Sequence, residues 1–119
     1  MSTSRWESLA AEGPLDAPGS DSALVPRPAG ARRLLSAEVA RTSYGVRVYA
    51  SPRPVAEVLA GYDASMNQLG FTLLADQRNE GERGYLRGGF VVIVTVERGR
   101  DGGSVASVAE LGAGGGRMP

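Results

Sequence analysis

Residues 90–111 read FVVIVTVERGRDGGSVASVAEL, and the fold follows from them. Phe90 to Glu97 is rich in β-branched residues and apolar on both faces for most of its length, as a central strand requires. Asp101-Gly102 then supplies the dipeptide favoured in the tightest hairpin turn, whose two central residues both need positive φ. Ser104 to Leu111 follows as the partner strand. A two-residue loop pairs Arg100 with Gly103 and sets the register, with Val96 opposite Ser107, Val94 opposite Ala109 and Val92 opposite Leu111. The other face then carries Ile93, Thr95, Val108 and Glu110, and is expected to meet solvent or a partner.

Upstream lies SPRPVAEVLAGYDASMNQLGF, residues 51–71. Val55, Val58, Leu59, Tyr62, Met66 and Leu69 recur at intervals of three and four, the stripe of an amphipathic helix. Ser51 or a neighbour is expected as its cap, Pro52 or Pro54 suits its first turn, and Gly70 suits the position just past its end. Gly61, an unfavourable residue inside a helix, is expected where a strand comes close. RLLSAEVA and YGVRVYAS, before the helix, read as two strands joined near Arg41 to Gly45. After it, FTLLAD and Tyr85 to Arg87 read as two more, separated by a polar loop. The order is ββαββββ. One helix laid on one face of an antiparallel sheet buries both apolar surfaces, so the expected class is α+β.

Composition sets the domain limits. Residues 1–31 are dense in Pro, Gly, Ser and Asp and are expected to form an extended, flexible arm, while residues 112–119, GAGGGRMP, read as a flexible tail. The folded unit is expected over residues 32–111. Within the arm, residues 5–12 hold Trp6, the one tryptophan of the chain, with Leu9 and Ala10 at helical spacing. Aromatic anchors dominate protein interfaces, so this segment is a candidate docking peptide.

The 119-residue chain has no cysteine, histidine or lysine; arginine carries all 13 positive charges. Thiolate nucleophiles, disulfides, the commonest general base, Schiff bases and phosphate-loop lysines are therefore all missing. The loop from Asp76 fails as a calcium site, because Arg78 and Arg87 stand at its third and twelfth positions. The tail glycines break the dinucleotide spacing at Arg117. No cofactor or metal is expected, and no catalytic residue. Glu38, Glu97 and Glu110 are the remaining acids placed in strands.

Net charge is zero and the pI is about 6.3, which argues against a nucleic-acid partner. Charge is nonetheless blocked along the chain. Residues 27–53 hold six arginines against Glu38 alone, between two acidic stretches, an arrangement that suits basic-to-acidic contact between proteins. Of these arginines Arg32, Arg33 and Arg47, together with Tyr49, are candidate partner-binding residues. Arg47 shares a strand face with Tyr49, away from Tyr44, Val46 and Val48, and is expected to point to solvent. No stretch reaches the roughly 20 apolar residues of a membrane span. The chain is expected to be soluble, either cytoplasmic or, if a leader has been removed, periplasmic.

Residues 44–97 resemble small uncharacterised α+β domains of bacterial envelope and secretion-associated proteins, through a strand (VRVYAS), a Pro-started helix with an internal Tyr (VLAGYDASMNQLGF) and the strands that follow. The resemblance implies a non-catalytic, interaction-type module and transfers no site. The resulting expectation is a structural or adaptor subunit that docks into a larger bacterial protein assembly through its N-terminal arm and sheet surface. The alternative is a small-molecule or anion-binding domain using an exposed Arg-rich sheet face.

Overall fold

The computed structural model of the protein describes residues 15–42, 44–74 and 81–112. Its elements in chain order are β1 (Arg32–Glu38), β2 (Gly45–Ser51), α1 (Val55–Gln68), β3 (Thr72–Leu73), β4 (Glu82–Arg87), β5 (Phe90–Arg98) and β6 (Ser104–Gly112). The fold is α+β, with one helix and one six-stranded sheet. Every neighbouring pair of strands is antiparallel. The order across the sheet is β1-β2-β6-β5-β4-β3, so the terminal strand β6 slots between β2 and β5 and joins the two halves of the chain.

The helix stripe packs as its spacing predicts: Val58, Leu59, Tyr62 and Met66 are buried, and Val55 and Leu69 pack against the same core. Gly70 ends the helix with φ +88°. Its N–H donates to Asn67 O at 3.0 Å and that of Phe71 to Met66 O at 2.9 Å, the paired bonds of a glycine-ended helix. The N-cap is Pro54, with no side-chain cap. Ser51 instead accepts from the Arg53 N–H at 3.1 Å. Gly61 is not packed on a strand either, because a Cβ built there meets nothing within 4 Å.

The hairpin keeps its turn and loses its register. Asp101 and Gly102 have φ +54° and +78°, and Gly103 N–H donates to Arg100 O at 2.9 Å, as the Asp-Gly turn requires. Gly99, not Arg100, then donates to Gly103 O, at 2.9 Å. That places one extra residue on the β5 side, a bulge. The pairs become Val96↔Ala106, Val94↔Val108 and Val92↔Glu110. A one-residue slip turns a strand over: Ala106 and Val108 enter the core, Glu110 is buried with them, and Leu111 faces out at 40% exposure.

Residues 15–31 correct the expected domain limits. Val25 is 2% exposed and belongs to the core cluster with Tyr49, Tyr62 and Val92. Gly112 closes β6. The folded unit therefore includes residues 15–31 as a second cover beside α1, and it reaches Gly112. The rest of the expected arm, with Trp6 and Leu9, and the tail beyond Gly112 lie outside the described residues.

Candidate functional site

The sheet has two unlike faces. On the helix side, β2 contributes Arg47 and Tyr49, both buried, which corrects the expectation that Arg47 points to solvent. Val46 and Tyr44, on the side expected to be inward, are 39% and 38% exposed. Arg47 tolerates burial because its donors are occupied. Its Nε donates to Ser20 O at 2.7 Å, one Nη to Glu110 at 3.3 Å and the other to Glu38.

Arg33 is likewise committed inward. It donates to Asp21 at 2.8 Å and to the carbonyls of Ala17 and Gly19 at 2.9 and 2.7 Å. Arg27 bridges Asp16 and Asp21, at 2.9 and 2.8 Å, and lies 5.3 Å from the Tyr49 ring centre, within cation–π range. The Tyr49 hydroxyl donates to Asp21 at 3.0 Å. Asp21 is thus the acceptor that ties the arm segment to β1 and β2. Burial works to raise its pKa, but the bonds from Arg33, Arg27 and Tyr49 outweigh it and hold the carboxyl below its usual value. The hydrogen bond from Arg27 brings Asp16 down to about 2. Burial, and then the bond to Asp21, push Tyr49 up to about 12. Burial also raises Tyr62, so the phenol stays neutral; its hydroxyl is the buried side-chain polar atom left without a partner among the described residues.

The partner-binding residues read from the sequence therefore do not form one exposed surface. Arg33, Arg47 and Tyr49 are structural groups inside the molecule, and Arg32, at the start of β1, donates to Leu15 O at 3.3 Å. The sheet face bearing Arg47 and Tyr49, which the alternative reading needs exposed, is covered. Of the strand carboxylates, Glu110 is buried against Arg47 and Glu97 is exposed. Among the described residues no cluster of three or more acids could hold a metal, and no helix is long and apolar enough to cross a membrane.

The opposite face is apolar and open at one end, while Glu82 and Glu97 lie in its further rows. Register places Ala37, Val46, Ala109, Ile93 and Gly84 in one row across five strands, and Leu111, Val91 and Leu86 in the next. Neither row contains a charge. Tyr44, two residues before Val46, faces the same way, and Val39 pairs with it through a 3.1 Å bond from its N–H to Tyr44 O. Val39, Tyr44, Val46, Leu86 and Leu111 are 37–55% exposed. At its other end the same face carries a buried cluster of Leu34, Val48 and Val105. The sequence reading missed this patch because its hairpin register put Leu111 on the core side and its reading of β2 turned Val46 inward.

No protein-family model, curated protein or solved structure matches the chain.

Proposed function

We propose that the protein is a non-catalytic interaction module that joins a larger protein assembly through the open apolar face of its sheet. One observation carries the reading: Val39, Tyr44, Val46, Leu86 and Leu111 are exposed together at one end of a face, on two adjacent rows that hold no charge. A sheet face that simply meets water alternates apolar-in with polar-out, and a contiguous apolar patch on a soluble domain is usually an interaction site. The missing imidazole, thiol and amine side chains support the non-catalytic part.

The test is affinity capture from the native organism with the wild-type chain and with the double variant Val46→Lys, Leu111→Asp. Both substitutions are on the open face, so the variant is expected to keep its circular dichroism spectrum and lose its specific partner. Equal capture by the two proteins, with the variant folded, would defeat the proposal.

A further inference from the structure

A groove of about 490 Å³ runs between residues 26–29 and α1, lined by Pro26, Pro28, Val58, Gly61, Tyr62 and Ser65 among others, with Arg53 at one end. We infer that it holds a single aliphatic chain carrying a carboxylate head.

The first support is Gly61. Glycine weakens a helix interior, and here no neighbour demands it, since a Cβ at this position meets nothing within 4 Å. Glycine does serve where a ligand must lie against the backbone, and Gly61 lines the groove. The second support is shape. The groove follows α1 for about 15 Å at 1.5 Å per residue, so its volume leaves a section of about 30 Å², room for one extended chain.

The third support separates a hydrocarbon from a peptide. An extended peptide brings its own N–H and C=O groups, which must be paired when buried. Of residues 26–29, Pro26 and Pro28 have no N–H to offer, the carbonyl of Pro28 already accepts from Ala31, and beyond its first turn the helix uses its backbone polar groups internally. The wall of residues 26–29 thus offers the N–H groups of Arg27 and Ala29 alone, fewer than an extended peptide of that length needs. A hydrocarbon asks for none of these. For the head, Arg53 sits at the groove end with its side chain 54% exposed, joined to Glu57 by a 3.0 Å pair at i,i+4. Exposed pairs of this kind are weak, and the guanidinium fork keeps further donors for a carboxylate. The groove is on the opposite side of the sheet from the open face, so the inference stands independently of the proposed docking.

Titration calorimetry with dodecanoate, below its micelle concentration, tests it on the full chain. The wild type is expected to bind one equivalent and to melt at a higher temperature when loaded. Gly61→Leu, a better helix former that fills the groove, should weaken binding at least tenfold while its own melting temperature holds or rises. Ser65→Leu should do the same should the first variant fail to fold. Arg53→Gln should weaken dodecanoate at least threefold and leave dodecanol unchanged. Leu111→Ser should bind as the wild type does. Lack of saturable binding, full binding by both groove-filling variants, an equal response of dodecanoate and dodecanol to Arg53→Gln, or loss of binding in Leu111→Ser would overturn the inference.

Discussion

The two faces of the sheet differ in what covers them. The helix side is closed twice, by α1 and by residues 15–31, and it takes in Arg33, Arg47, Glu110 and Tyr49 as well as the aliphatic core. The opposite side keeps Val46, Leu86 and Leu111 in water. Arginine is inside and leucine outside, which reverses the usual preference. The reversal shows that burial here follows the supply of partners. Ser20, Asp21, Glu38 and Glu110 give the arginines acceptors, whereas among the described residues only the far end of the open face, at Leu34, Val48 and Val105, is buried.

The contrast predicts a graded series of effects. Met66→Ala, at a fully buried position under the helix, should cost about 3 kcal/mol of stability in denaturant unfolding. Asp21→Ala should cost about 2 kcal/mol by leaving the Arg33 guanidinium and the Tyr49 hydroxyl short of their acceptor. If it proves neutral, the arm segment is not held by this carboxylate.

A pH effect follows from the same group. The folded-state pKa values of Asp16 and Asp21 are depressed, so their contribution is complete above the ordinary carboxyl value of 3.8 and is lost as pH falls towards about 2, where Asp16 titrates in the fold. Melting temperatures taken between pH 6 and pH 2 should fall over that window, and the fall should be shallower in Asp21→Ala. Gly61→Ala should raise stability by about 1 kcal/mol, since the new methyl group meets nothing. Smallest of all, Leu111→Ser should change stability by less than about 0.5 kcal/mol. A loss as large as that of Met66→Ala would show that the open face is part of the folding core and end the contrast.

Part of this was legible from the residues. The helix was, because six apolar positions at three- and four-residue spacing and Gly70 past the end leave one face to bury. The Asp-Gly turn was, because positive φ at two successive residues is a local demand. The hairpin register was not. The bulge beside Gly99 depends on which N–H, that of Gly99 or of Arg100, donates to the Gly103 carbonyl across the strand, and no local signal separates it from a plain two-residue loop. The inner face of β2 was misread for a related reason. Tyr44, Val46 and Val48 outweigh Arg47 and Tyr49 in hydrophobicity, but Asp21, Ser20 and Glu110 arrive from distant parts of the chain to satisfy the polar pair. The polar composition of residues 15–31 likewise concealed Asp16 and Asp21, whose partners Arg27 and Arg33 complete the tie only once β1 is in place.

The amino-acid order alone determined the α+β class, the succession of helix and strands and the absence of cysteine, histidine and lysine, since these rest on periodicity, turn chemistry and side-chain inventory, all of them local. Only the tertiary structure decided which face of each strand is inside, where the arginines go and which apolar surface stays open. Those outcomes depend on groups far apart in the chain meeting, and a buried charge is tolerated only where its acceptor has already been placed.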